Sequence, residues 1–131
     1  MTKQDFENKK EEYGIIGTGI DSVVKKTMTW TDKKTGELKC KLEPGTKVHL
    51  YFSPKKYPQT IFIDMLNGTV KMSRTLNGFI QFSKITKQPS MNALTKMDSE
   101  GIVKSVTGHK VEPDGYGPDG SPSWMLVLGM I

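Results

Sequence analysis

Eight basic and aromatic side chains in the middle of the sequence are of the types that bind nucleic acid. Lys47, His49 and Tyr51 alternate along one predicted strand, so all three should point outward, away from its apolar face. Lysine attracts phosphate, and an exposed tyrosine ring offers a surface on which a base can stack. The candidate residues for binding single-stranded DNA or RNA are Lys47, His49, Tyr51, Lys55, Lys56, Tyr57, Lys71 and Arg74.

The chain carries a net charge of +5, and its basic charge is concentrated in the middle. Residues 25–56 contain nine lysines and three acidic residues, whereas residues 112–131 contain three acids and no base. A localised basic stretch favours a polyanionic partner. Arg74 is the only arginine, and bidentate reading of bases prefers arginine, so sequence-specific recognition is not expected. The alternative is that the lysines only keep strand surfaces soluble.

No motif in the sequence indicates catalysis or nucleotide binding. Gly14, Gly17 and Gly19 have the reverse of the dinucleotide-binding spacing and predict a flexible link instead. Cys40 lies on the apolar side of an alternating strand, which is typical of inert packing. A Gly-x-Ser-x-Gly elbow is absent from the sequence. We therefore expect a non-catalytic protein that uses no cofactor.

A glycine-rich loop near the C-terminus carries three carboxylates. Glu112, Asp114 and Asp119 lie close in sequence to His109, and hard cations favour carboxylate oxygens. The spacing does not match a calcium-binding hand, and Asp-Gly after proline is ordinary turn chemistry. The sequence therefore predicts turns here rather than a metal site.

Length and composition indicate one small intracellular domain. The chain has 131 residues, enough to bury a core without disulfides or a structural metal. Its single cysteine, Cys40, is typical of a cytoplasmic protein. The polar N-terminal residues predict no signal peptide. The apolar run at residues 125–128 is far shorter than the ~20 residues that cross a membrane, so no membrane partner is expected.

The first part of the chain predicts a helical arm and a hairpin. The arm covers residues 1–13, with Thr2 as a suitable N-cap and Gly14 as a suitable C-terminal stop. Residues 24–30 and 38–42 alternate between apolar and polar side chains and are separated by a polar turn. This pattern is typical of a β-hairpin.

The middle of the chain predicts further antiparallel strands. Residues 46–53 alternate cleanly, and residues 60–85 contain the pairs Asn67-Gly68 and Asn77-Gly78. Asn-Gly between apolar runs is the strongest short hairpin signal, because both residues accept a positive φ. Residues 60–85 should therefore form a three-stranded meander.

The last third predicts one helix and closing strands. Ser90 can cap a helix over residues 90–99, and Gly101 can end it. Residues 102–106 have strand character. Residues 124–131 are nearly all apolar and predict a strand that is buried on both faces.

Together these elements predict a mainly β protein, with the helical arm at residues 1–13 and a single β-rich domain at residues 14–131. Such a sheet hides its edges by closing into a small antiparallel barrel, and an OB-like and an Sm/SH3-like barrel fit equally well. The residues expected to be buried are Trp30, Val48, Leu50, Phe52, Ile61, Ile63, Leu126 and Leu128.

A self-assembling structural or adaptor protein is the alternative function. The arm, the eight methionines and the apolar segment at residues 124–131 are all suited to a subunit interface. A homo-oligomer, most simply a dimer, is expected on this ground. Both functions are compatible with the same small barrel.

Overall fold

The computed structural model describes residues 1–54, 60–74 and 82–130. In chain order, the elements are α1 (Lys3–Tyr13), β1 (Ile16–Val23), β2 (Met28–Thr31), β3 (Leu38–Leu42), β4 (Lys47–Ser53), β5 (Thr60–Asp64), β6 (Val70–Arg74), α2 (Met91–Glu100), β7 (Val103–Lys104), β8 (Lys110–Val111) and α3 (Trp124–Val127). Within these ranges, no helix is both long and apolar enough to cross a membrane.

Strands β1, β4, β5 and β6 form one antiparallel sheet in that order. Leu50 lies at its centre, level with Ile20 on β1 and with Ile63 on β5. Two separate ribbons pair β2 with β3 and β7 with β8. The prediction of a mainly antiparallel β protein is thereby confirmed. Closure of the sheet into an OB-like or Sm/SH3-like barrel stays a prediction.

One face of the sheet carries the main hydrophobic core. Five of the predicted core residues, all on β4 and β5, are buried there: Val48, Leu50, Phe52, Ile61 and Ile63. The other three, Trp30, Leu126 and Leu128, are only half-buried. Trp30 belongs to the β2–β3 ribbon outside the sheet. Leu126 and Leu128 are not enclosed because the segment that contains them is helical rather than extended.

The opposite face of the sheet is also buried, because α1 packs against it. The ring centroid of Phe6 in α1 lies 4.9 Å from that of Tyr51 and 5.2 Å from that of Phe62. Thr2 caps the start of α1, and Gly14 ends the helix in the left-handed conformation, as predicted. The sheet therefore has a second, aromatic core on the side that the sequence predicts to be exposed.

The C-terminal segment forms the helix α3, so the predicted strand at residues 124–131 is wrong. Ser123 Oγ accepts a hydrogen bond of 3.0 Å from the backbone N–H of Leu126 and caps this helix. Trp124 and Val127, one turn apart, are buried. A short apolar run fits a buried strand and a buried helix equally well, and the Ser123 cap favours the helix. Ile131 lies outside the described residues.

Two predicted local signals are confirmed. The loop between β5 and β6 contains Asn67-Gly68, although the residues with positive φ are Leu66, at 60°, and Gly68, at 91°. Ser90 caps α2 through its side chain, as predicted. The pair Asn77-Gly78 lies outside the described residues.

The glycine cluster forms a bulge in β1 rather than a flexible link. Gly17 and Gly19 have φ values of 61° and 77°, and the β1–β4 register shifts between Ile16 and Ile20. A Cβ atom added to Gly19 would lie 2.3 Å from the carbonyl oxygen of Leu50. Glycine is therefore required where β1 bends closely against β4.

Candidate nucleic-acid interface

Tyr51 is enclosed between strand β4 and helix α1. Its side chain is only 7% exposed, and its hydroxyl accepts a hydrogen bond of 3.0 Å from Lys3 Nζ. The prediction that Tyr51 points outward is wrong. Strand alternation does place Tyr51 opposite the main core, but Phe6 and the rest of α1 cover that face. The ring therefore offers no free surface for base stacking.

His49 is held by two oxygen acceptors beside β1. Its Nδ1 lies 2.7 Å from Asp21 Oδ1, and its Nε2 lies 2.7 Å from the carbonyl oxygen of Thr18. His49 thus links β4 to the β1 bulge through the Asp21 side chain and the Thr18 backbone.

Helix α1 also carries a lysine whose charge is neutralised within the protein. Lys3 Nζ lies 2.6 Å from Asp64 Oδ2 and 3.0 Å from Glu7 Oε1. Burial alone would raise the pKa of Asp64, but hydrogen bonds from Lys3 Nζ and the Leu66 backbone N–H lower it below its ordinary value. Burial alone would lower the pKa of Lys3, but its bonds to Asp64, Tyr51 and Glu7 raise it. Lys3 is therefore not free to bind a polyanion.

The other candidates that the structure describes lie at different places on the sheet. Lys47 is exposed at the start of β4, where it pairs with Val23. Arg74 is the last residue of β6, level with the opposite end of β4. Lys71 is half-buried on β6 and pairs with Ile63 of the main core. Three further candidates lie outside the described residues: Lys55, Lys56 and Tyr57.

Trp30 is an aromatic residue that the sequence analysis did not single out as a binding group. It is half-buried on β2, and its Nε1 donates a hydrogen bond of 3.1 Å to the carbonyl oxygen of Met72 on β6. This bond fixes the β2–β3 ribbon against β6, next to Lys71. No local pattern could reveal the position, because the two partners are 42 residues apart in sequence.

The Pro-Asp-Gly loop folds around the carboxylate of Asp119. Thr107 Oγ1 donates to Asp119 Oδ2 over 2.7 Å, and Ser121 donates to Oδ1 from both its hydroxyl and its backbone N–H. Burial alone would raise the pKa of Asp119, but these hydrogen bonds outweigh it and lower the pKa to about 2. His109 Nε2 lies 3.6 Å from Oδ2. Across the described ranges, no three His, Cys, Asp or Glu side chains are grouped so that they could hold a metal ion.

No protein-family model, curated protein or solved structure matches this chain. The functional proposal is therefore based on the positions of the side chains in this structure and on the charge of the chain.

Proposed function

We propose that this protein is a non-catalytic binding protein that holds single-stranded nucleic acid without sequence specificity. One observation carries the proposal: five of the lysines in residues 25–47 are exposed and form no ion pair within the part of the chain that the structure describes. These lysines are Lys25, Lys26, Lys33, Lys34 and Lys47. Unpaired exposed charges of one sign attract a polyanion before any specific contact forms.

We assign the stacking of a nucleic-acid base to the ring of Trp30 rather than to that of Tyr51. Part of the Trp30 ring faces solvent, and its indole N–H is already bonded to the Met72 carbonyl oxygen. A ring held in one orientation loses little entropy when a base stacks on it, and such stacking contributes ~1–3 kcal/mol per base. Stacking tolerates every base, which agrees with binding that is not sequence-specific.

The side-chain contacts support a non-catalytic role. The Ser121 hydroxyl donates its one proton to Asp119 Oδ1, lies 2.8 Å from Ser105 Oγ and is fully buried, so it has no access to a substrate. His109 Nε2 lies 3.6 Å from Oδ2 of the Asp119 carboxylate. A serine nucleophile instead requires a hydrogen-bonded base and an open approach.

The test is a fluorescence anisotropy titration of a labelled single-stranded oligonucleotide of mixed sequence at several salt concentrations. We expect affinity that falls steeply with salt, because binding releases counterions from the phosphates. Oligonucleotides of different sequence should bind alike, and an unlabelled duplex should compete less well than a single strand. Absence of binding at low salt, in protein shown to be folded by circular dichroism, would overturn the proposal.

Two aromatic variants provide the matched control. Trp30→Leu should weaken binding while leaving the salt dependence unchanged, because stacking involves no counterions. Tyr51→Phe should leave binding unchanged, because this ring is buried under α1. Equal losses in both variants would contradict the assignment of stacking to Trp30.

The alternative function is self-assembly. We propose that its subunit interface lies at α2 rather than at the C-terminal segment. Ile102 is 54% exposed and lines a groove of about 260 Å³ together with Met97 and Val103. Met91, at the start of α2, is 64% exposed. Exposed apolar side chains favour an interface between subunits. Sedimentation velocity should then show a dimer, and a monomer at high protein concentration would contradict it.

The proposal includes the small-barrel fold and a cytoplasmic location. Barrel closure is supported by Phe82, which follows β6 in the chain and bridges to Val24 at the end of β1. Barrels of this kind present a sheet face and adjoining loops to single strands. The single cysteine, Cys40, is free, which suits a reducing compartment.

A further inference from the structure

Three chain segments meet at the end of the sheet where β1 finishes and β4 begins. The backbone N–H of Val24 donates to the carbonyl oxygen of Thr46 over 2.9 Å, just before β4. Val24 also bridges to Phe82, and the N–H of Ser83 donates to the carbonyl oxygen of Val23 over 2.9 Å. These bonds fix the three segments relative to one another.

Each of the three segments places lysine at this meeting point. Lys25 and Lys26 follow Val24, Lys47 pairs with Val23 across the sheet, and Lys84 follows Ser83. We call these four residues, Lys25, Lys26, Lys47 and Lys84, the lysine junction. All four are exposed, and none forms an ion pair with any residue that the structure describes.

The acidic residues closest in sequence already contact other basic side chains. Asp21, two residues before Val23, contacts His49 Nδ1 at 2.7 Å. Glu43, near the start of β4, lies 2.9 Å from Lys41 Nζ. The like charges of the lysine junction therefore repel one another without a compensating carboxylate, and an anionic ligand would relieve that repulsion.

The backbone of Lys84 is held in a conformation that is unusual for its residue type. Its φ is 73°, in the left-handed region, which is unfavourable for a residue with a Cβ atom. Neighbours on both sides impose it: the carbonyl of Ser83 accepts a hydrogen bond from Ser22 Oγ, and Ile85 packs against the main core. The neighbours therefore hold the backbone of Lys84 beside the end of β1, despite this unfavourable conformation.

We propose that the lysine junction is the site that binds consecutive phosphodiester groups of the nucleic-acid strand. This inference rests on the proposed function and names the surface that carries it. Exposed lysines on three segments that are hydrogen-bonded to one another can donate to several phosphates at once, with no contact to a base. Only Lys47 belongs to the set predicted from sequence; Lys25, Lys26 and Lys84 are added by the tertiary structure.

The test compares two triple variants that remove the same charge from different places. The site variant is Lys25→Gln/Lys47→Gln/Lys84→Gln. The control variant is Lys9→Gln/Lys96→Gln/Lys110→Gln, which changes exposed lysines on α1, α2 and β8. Binding of a labelled single-stranded oligonucleotide is measured as a function of salt for the wild type and for both variants.

Loss of three phosphate contacts should reduce the slope of log K against log salt by about 2, because each contact contributes ~0.7 on a single strand. The site variant should show this reduction, and the control variant should keep a slope close to that of the wild type. Equal reductions in both variants, or none in either, would overturn the site while leaving the proposed function intact. A wild-type protein that does not bind would overturn both.

Lys84→Gly separates loss of charge from loss of structure. Glycine accepts the positive φ without strain, so this variant should keep or raise the thermal midpoint. It should also reduce the salt slope by about 0.7, as expected for one phosphate contact. A slope unchanged in this folded variant would show that Lys84 does not contact phosphate.

Discussion

Lys3 Nζ lies 2.6 Å from Asp64 Oδ2, and this ion pair fastens helix α1 to strand β5. The Asp64 side chain is only 8% exposed, whereas that of Lys3 is 33% exposed. Asp64 Oδ1 also accepts a hydrogen bond of 2.9 Å from the backbone N–H of Leu66, which orders the turn after β5. One carboxylate therefore links the docking of α1 to the β5–β6 turn.

Replacing Asp64 by Asn should lower the free energy of unfolding by about 2 kcal/mol, because charge-assisted hydrogen bonds are lost at a buried position. The matched control is Glu7→Gln, which breaks a more exposed contact of the same Lys3. That contact should contribute less than about 1 kcal/mol. Urea denaturation of both variants checks this, and similar losses would contradict the special role of Asp64.

Acid should destabilise the protein through Asp64 and Asp119. The folded-state pKa of Asp64 is lowered from its ordinary value, and that of Asp119 is lowered to about 2. The unfolded chain therefore binds protons more readily than the folded chain as pH falls. The stabilisation from both carboxylates is complete above their ordinary pKa near 3.8 and is lost as pH falls toward 2.

Asp119→Asn tests the acid prediction directly. The variant should be less stable than wild type at neutral pH, because the amide is a weaker acceptor for the hydroxyls of Thr107 and Ser121. The difference should shrink on acidification, because the wild-type carboxylate becomes protonated. Urea midpoints measured from about pH 7 to about pH 2.5 supply the comparison. Parallel curves for the two proteins would contradict the lowered pKa.

Gly19→Ala should destabilise the protein more than Gly36→Ala does. Both glycines have a positive φ, 77° and 72°, so both variants incur a similar backbone cost of roughly 1 kcal/mol. Only at Gly19 would the new Cβ meet the Leu50 carbonyl oxygen, at 2.3 Å, whereas nothing lies within 4 Å at Gly36. Thermal unfolding of the two variants measures the added cost of the clash. Equal midpoints would mean that β1 can shift away from β4.

Elements defined by local signals could be predicted from the sequence. Ser90 is followed by a helix because its side chain satisfies a free backbone N–H, and that preference involves only neighbouring residues. Asn67-Gly68 specifies a turn for an equally local reason. The apolar residues of β4 alternate because one face of the strand covers the main core. All of these features depend on residues close together in the chain.

The buried position of Tyr51 depends on a distant element. Helix α1 supplies Phe6, and its packing on the sheet is not encoded by any short pattern. The sequence of β5 does indicate that the second face is covered. Phe62 lies between Ile61 and Ile63, and such a continuous apolar run is typical of a strand that is buried on both faces. The lysine junction likewise depends on pairing between Val24 and Phe82, which sequence spacing does not reveal.

The second aromatic core should contribute substantially to stability, and Phe6→Ala measures it. Phe6 is fully buried, and its ring packs against the rings of Tyr51 and Phe62. Its truncation leaves a cavity between α1 and the sheet and should lower the free energy of unfolding by ~3–5 kcal/mol. The control is Met91→Ala, a similar loss of side-chain volume at an exposed position of α2, which should cost less than about 0.5 kcal/mol. Limited proteolysis at a low protease concentration gives a second measurement. The Phe6→Ala variant should be cleaved near residues 9–12 faster than wild type, because α1 would detach from the sheet more often. An unchanged midpoint and cleavage rate would show that α1 is not held by this core.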